Sequence, residues 1–316
     1  MTRLATDDTS ASSGLAPLRE GEGRRALITG LRGFTGYYLA QELTAAGYRV
    51  FGTVMPGEEV GPDMVAVDLC DRDAVAAMVA EVQPDVVAHL AGIAFVGHAN
   101  VEAIYRVNVV GTRNLLEALA AGSHRPTSVL LASSANIYGN ASVPVIDEDV
   151  LPSPANDYAV SKLAMEYMAR LWMDKLPITI VRPFNYTGVG QADNFLLPKI
   201  VSHFRRNEAR IELGNLAIAR DFSDVRMVAR AYRRIVAAAP AGEAFNVCSG
   251  TPHSLSNVIE MMGEIAGYRI DVQVNPAFVR ANDVLQLTGS NRKLTAVVGD
   301  LAPTPLYETL RWMYLA

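Results

Sequence analysis

The chain has 316 residues, half of them hydrophobic and 19% charged, with a formal net charge of -5. This length can bury one large core or two coupled ones, and the composition is that of a globular enzyme. No basic surplus exists to neutralise a run of nucleic-acid phosphates, and no apolar run approaches the roughly 20 residues of a bilayer-spanning helix.

The first 22 residues are rich in Ser, Thr, Asp and Gly and lack the apolar core of a signal peptide, so they read as a disordered tail on a cytoplasmic protein. Arg25 to Thr29 forms the first expected strand, followed by a Gly-rich turn and a helix from about Gly36 to Ala46. Strands are expected at Arg49 to Val54, Met64 to Val67 and Val86 to Leu90, with a helix at Asp71 to Val82. One long helix then covers about Val101 to Ala121, ahead of a strand from Ser128 to Ser133. A helix over Tyr158 to Met173 and a strand over Ile178 to Arg182 close the regular alternation. From Asn185 to Gly214 the pattern is loop, helix and short strand. Phe245 to Cys248 reads as a strand able to rejoin the sheet.

Alternating strands and helices predict an α/β fold, a Rossmann-type doubly wound parallel sheet. Residues 23–185, with about 217–250, are assigned to the dinucleotide-binding domain, and 186–216 and 251–316 to a smaller C-terminal α/β substrate-binding lobe. Cys70 and Cys248 sit in apolar stretches, as small buried residues of a reducing compartment do. The five histidines show no zinc-type pairing, so no metal site is expected.

Gly30, Gly33 and Gly36 stand in T-G-L-R-G-F-T-G, after a strand and opening a helix. Such glycines permit a tight turn, close approach of backbone amides to a pyrophosphate, and close helix–strand packing. At the end of the second strand an acid binds the ribose of NAD and a base accommodates the 2′-phosphate of NADP. Thr53, Val54 and Met55 carry neither signal. Arg32 can reach a 2′-phosphate or simply be a solvated loop arginine, which tilts the reading slightly to NADP(H) and leaves NAD(H) open. Asp68 can accept from an adenine amino group or form a turn.

Tyr158 and Lys162 are four residues apart and share one face of their helix. A lysine there lowers the phenol pKa from its usual value of about 10, helped by a cationic nicotinamide. Tyr158 can then exchange a proton with a sugar oxygen that Ser134 orients, while hydride moves at the adjoining carbon.

With TGLRGFTG, HLAG, VNVVGTRNLLEA, SSANIYG, YAVSK, RPFN and RDFSDVR in order, residues 24 to 316 resemble the extended short-chain dehydrogenase/reductase family of nucleotide-sugar enzymes. The resemblance implies Ser134, Tyr158 and Lys162 as the catalytic group. It implies Gly30, Arg32, Gly33, Phe34, Gly36, Asp68, Leu69, Leu90, Ala91, Gly92, Tyr158, Lys162 and Pro183 around the cofactor. Asn108 is implied as a buried support of the centre, though helix packing fits it equally. Substrate contacts are implied at Ser134, Asn185, Lys199, Arg220, Arg280 and Asp283. Arg220 and Arg280 fit diphosphate recognition by guanidinium forks, with structural ion pairing as the alternative.

Dehydratases of this family carry acids just after the catalytic hydroxyl; Ala135 and Asn136 stand there, and neither can do that proton work. The segments 185–200, 212–225 and 245–250 are similar to GDP-4-keto-6-deoxymannose reductases. That implies hydride transfer from NAD(P)H to carbon 4 of a nucleoside-diphosphate 4-keto-6-deoxyhexose. Two departures stand out: Tyr186 where those relatives often have His, and Met227 where an acid is usual. An NAD-dependent 4-epimerase and a non-catalytic NAD(P)-sensing protein are the alternatives. The expected partners are a nucleotide sugar and a second copy of the chain in a homodimer, with no nucleic acid and no membrane.

Overall fold

The computed structural model describes residues 20–94, 100–278 and 286–316. Its main sheet has seven parallel strands: β1 (Arg25–Thr29), β2 (Arg49–Val54), β3 (Met64–Ala66), β4 (Val86–His89), β5 (Ser128–Ala132), β6 (Ile178–Pro183) and a late-returning strand at Ala244–Val247. From one edge the order runs Ala244–Val247, β6, β5, β4, β1, β2, β3. Strand order therefore reverses between β1 and β4, the switch point at which ligands sit in open α/β sheets.

Helices cover both faces because the central strands are apolar on both sides. One face is closed by α1 (Phe34–Ala45) and by a long helix at Val225–Ala238, where Leu39, Leu43, Val228 and Ile235 pack on Ile28, Ala88 and Leu130. The other is closed by α2 (Arg72–Val82) and by two helices whose Leu115, Leu119, Met165 and Ala169 meet Leu27, Val87 and Leu131. The helix expected over Val101 to Ala121 is three pieces: α3 (Val101–Tyr105), a π-helical turn at Arg106–Gly111, and α4 (Thr112–Ala121). α5 (Asp157–Arg170) follows β5, starting under an Asn156 side chain that accepts from the Ala159 amide.

Beyond β6, β7 (Asn185–Thr187), α6 (Leu196–Arg205), β8 (Arg210–Leu213) and β9 (Ala219–Asp224) lead into the helix at Val225–Ala238, here α7, and the returning strand, β10. β7 pairs with β9, which also pairs with β11 (Pro252–Ser254) and with Gln286–Leu287. A third core unites Ile200 and Phe204 of α6 with α8 (Leu255–Ala266) and the C-terminal helix at Leu306–Leu315. Leu294 and Leu301 pack in the α1–α7 core, so residues beyond 251 also complete the main sheet's cover.

Residues 20–22, placed in the tail by the sequence reading, are docked: Glu20 pairs with Arg233, and the Gly21 amide donates to the Ala46 carbonyl. The remainder of that tail, 1–19, lies outside the described residues, as do Arg280 and Asp283. Among the described residues no helix is long and apolar enough to cross a membrane. Cys70 and Cys248 are free thiols.

Candidate active site

The glycine turn is built as the sequence requires. Gly30 has φ +73°, and a Cβ there would lie 3.1 Å from the Ala91 Cα. A Cβ on Gly36 would lie 2.3 Å from the Gly30 carbonyl oxygen, so helix and turn meet only through a glycine. Gly33 caps α1 without a side-chain hydrogen bond, and the first helical bond runs from the Tyr37 amide to Gly33. The amides of Phe34, Thr35 and Gly36 therefore have no intrahelical acceptor and face the switch point with the positive helix end. Arg32 is exposed beside them.

At the end of β2, the buried Thr53 hydroxyl accepts from the Gly30 amide. The next exposed position is Met55, whose amide donates 2.8 Å to the Glu58 carboxylate. Sequence reasoning missed this acid. Only the back-turn through Pro56 and Gly57 brings it to the strand end. One carboxylate oxygen of Asp68 accepts from the Cys70 amide at 2.8 Å, which is the turn-forming role. Leu69 is buried, with its carbonyl bonded to Asn114.

Tyr158 and Lys162 both rise from the first turns of α5 and are buried, as is Ser134 at the end of β5. The Ser134 hydroxyl bonds the Tyr158 phenol and accepts from Asn136. Burial pushes the phenol up to about 12, with the Ser134 bond pulling downward and nearby Tyr186 pushing upward. The sequence argument had Lys162 lowering this pKa. In the structure burial, Ser134 and Tyr186 set the phenol's value instead, and the Lys162 ammonium donates to the Ala132 carbonyl at 2.8 Å. Burial brings Lys162 itself down to about 8, against the upward pull of Glu166, which is held by Arg182 at 2.7 Å.

Asn108 projects inward from the π-turn. Its side chain accepts from the Ile93 amide and donates to Ser161, whose hydroxyl donates to the Tyr158 carbonyl. Gly92 passes so close that a Cβ would stand 2.8 Å from the Asn108 oxygen and 3.3 Å from the Lys162 nitrogen. Beneath this lies His89, 2.7 Å from the Thr29 hydroxyl and 2.8 Å from that of Thr112. Thr29 already accepts from the Leu90 and Ala91 amides, and Thr112 donates to the Asn108 carbonyl. Thr29 therefore donates to Nδ1, and the imidazole carries its proton on Nε2. Burial first, then Lys162, pushes this histidine down to about 3.

Pro183 ends β6, and exposed Asn185 begins β7. Tyr186 stacks on Phe34 and bonds Thr35, which brings β7 to the glycine turn. Lys199 donates to the Glu212 carbonyl, and Arg220, which lies opposite His253 across the β9–β11 ladder, donates to the Ala219 carbonyl. Asp221 is buried and accepts from the Ser249 and Gly250 amides, holding the loop after β10. A cavity of about 490 Å³, lined by Gln191, Asp193, Ser202 and Arg205, contains none of the nominated residues. No metal-binding cluster occurs among the described residues.

These residues fit a nicotinamide dinucleotide. The turn closes only with no Cβ at Gly30 and Gly36, and it leaves the unbonded amides of α1 as donors for a diphosphate. Fold and site together define a short-chain dehydrogenase/reductase of the extended, Rossmann type. Residues 26–248 match the NAD dependent epimerase/dehydratase family, and the chain belongs to it. It is 34% identical over 294 residues to a GDP-6-deoxy-D-talose 4-dehydrogenase of Aggregatibacter actinomycetemcomitans, covering 92% of this chain and 97% of that one. A GDP-6-deoxy-D-mannose reductase of Pseudomonas aeruginosa is 33% identical over 300 residues, covering 91% and 95%. Among solved structures, one described as a candidate epimerase from Burkholderia cenocepacia J2315 is 57% identical, with a TM-score of 0.89 over 93% of this chain and 97% of that one. RMD from Pseudomonas aeruginosa complexed with NADPH is 31% identical, with a TM-score of 0.81 over 92% and 98%.

Proposed function

We propose that the protein reduces the 4-keto group of a GDP-linked 4-keto-6-deoxyhexose with NADPH. The observation that carries this reading is the buried trio itself: the Tyr158 phenol bonds the Ser134 hydroxyl with Lys162 one turn along the same helix, and burial keeps that phenol in its acid form. A reductase needs that acid. The bound cofactor supplies hydride to carbon 4, and Tyr158 gives its proton to the oxygen as negative charge develops there. Ser134, already bonded to Tyr158, holds that oxygen in line. Lys162, near 8, is a proton source that can restore the phenol.

The absence of a carboxylate at Ala135 and Asn136 fits a reaction with no elimination of water, and Asn136 instead bonds back to Ser134. The names of the two curated relatives, both enzymes of GDP-6-deoxyhexoses, support the substrate class. The solved relative complexed with NADPH and the exposed Arg32 support the phosphorylated cofactor. A homodimer in the cytoplasm belongs to the same reading, with Val160 and Tyr167 of α5 among its exposed apolar residues.

The similarity to a candidate epimerase favours a second reading, 4-epimerisation with retained NAD. Absorbance at 340 nm, with NADPH or NADH and GDP-4-keto-6-deoxymannose, separates the two. Steady oxidation with formation of a 6-deoxyhexose supports the reductase. No net oxidation, with interconversion of nucleotide hexoses by protein that keeps its NAD through purification, would establish the epimerase instead.

A further inference from the structure

Tyr186 stands where four features meet. Its hydroxyl is 2.7 Å from that of Thr35, and its ring lies parallel to Phe34, with centroids 5.9 Å apart and planes 9° off. Across the β7–β9 ladder it faces Ser223, whose hydroxyl is buried without a hydrogen-bond partner among the described residues. On the remaining side it neighbours Tyr158 closely enough for the two phenols to interact electrostatically. One side chain from the smaller sheet thus touches the first turn of the glycine cradle and adjoins the phenol of the reaction centre.

Proton counting gives this contact a direction. Thr35 is the second residue of α1, so its backbone amide is one of those with no intrahelical acceptor, and its hydroxyl branches from that same turn. A hydroxyl has one proton to give and two lone pairs. A diphosphate only accepts. Once Thr35 gives its proton to a diphosphate, the bond to Tyr186 survives only with the phenol as donor.

We propose that Tyr186 is a positioning residue that holds the Thr35 hydroxyl as a donor to the cofactor diphosphate, tying the smaller lobe to the loaded glycine turn. This rests on the reading that the α1 turn binds a nicotinamide dinucleotide. Tyr186→Phe keeps the ring on Phe34 and removes only the hydroxyl, and Thr35→Val removes the other partner.

The test titrates the intact protein with NADPH, following nicotinamide fluorescence, for wild type, both single variants and the double variant. Each single variant should weaken NADPH by about tenfold, and the double variant by no more than the weaker-binding single. Adenosine 2′-monophosphate, which has no diphosphate, should bind all four proteins alike. Unchanged NADPH affinity, effects that multiply in the double variant, or equal weakening of adenosine 2′-monophosphate would each overturn the proposal. Wild type that binds neither NADPH nor NADH would overturn it together with the cofactor reading, whereas binding wild type with indifferent variants overturns the proposal alone.

Discussion

The Lys162 ammonium is bonded to the carbonyl of Ala132, 2.8 Å away at the end of β5, and one turn along α5 Glu166 is committed to Arg182. The lysine thus sits over the strand that delivers Ser134, anchored by a neutral oxygen while its nearest acid is spent elsewhere. Its charge is only partly supported, which is why burial brings it down to about 8. Beside it the Tyr158 phenol is held at about 12. In the proposed reduction the two groups would have different proton tasks: one retains a proton until oxyanion charge draws it away, and the other exchanges one near working pH.

Replacing Tyr158 with Phe should therefore lower turnover by about two to four orders of magnitude, the usual worth of a general acid. Affinity for NADPH should change little, because the glycine turn is untouched. Single-turnover oxidation at 340 nm beside a fluorescence titration checks both halves. A variant with full turnover would remove Tyr158 from the mechanism.

Lys162 gives a pH signature. With its pKa at about 8, turnover should fall as pH rises through that value and the ammonium is lost. In Lys162→Gln that alkaline limb should disappear, leaving a low and flatter rate. Turnover profiles between pH 6 and 10 decide the matter. An identical limb in wild type and variant would assign it to another group.

His89 should appear in stability rather than in rate. Its value of about 3 lies below the ordinary 6.5, so as pH falls the unfolded chain takes up a proton before the folded one. The stability this burial contributes is complete above 6.5 and drains by about 1.4 kcal/mol per pH unit down towards 3. In His89→Gln the protein should be weaker at neutral pH yet lose stability less steeply between pH 6.5 and 5. Denaturant unfolding at three pH values measures that slope. Parallel slopes in the two proteins would mean that His89 accepts a proton without unfolding.

Sequence reading succeeded where chemistry is local. Gly30, Gly33 and Gly36 announce a turn because only their backbone fits it, and Tyr158 and Lys162 share a helix face by spacing alone. The central strands are runs of β-branched and apolar residues that match the ladder almost residue for residue, as with Arg25–Thr29 and Arg49–Val54. The π-turn at Arg106–Gly111 was not legible, since its apolar pattern passes for an ordinary helix; only tertiary contacts turn Asn108 onto Ile93 and Ser161. Tyr186 reaches Thr35 across 151 positions of chain, a contact no local pattern encodes. Asp221 marks the family in sequence, yet in the fold it fastens the Ser249 and Gly250 amides.

In the proposed reading, two residues of opposite charge near the end of β2 should set the cofactor preference. Arg32 is exposed on the glycine turn and suits a 2′-phosphate, whereas Glu58, bonded to the Met55 amide, offers a carboxylate where NAD enzymes place one for the ribose hydroxyls. A guanidinium–phosphate contact is a strong, charge-assisted bond, and a carboxylate beside the same phosphate repels it. Arg32→Ala should accordingly lower kcat/KM for NADPH by about 10- to 100-fold and leave NADH within a few-fold. Glu58→Gln should move the other way, improving NADPH modestly while weakening NADH. Measured with both cofactors at fixed sugar concentration, the ratio of the two kcat/KM values is the readout, because losses common to both cancel. If Arg32→Ala reduces the two cofactors equally, the arginine serves the turn and not the phosphate, and the preference must come from the adenine side near Asp68.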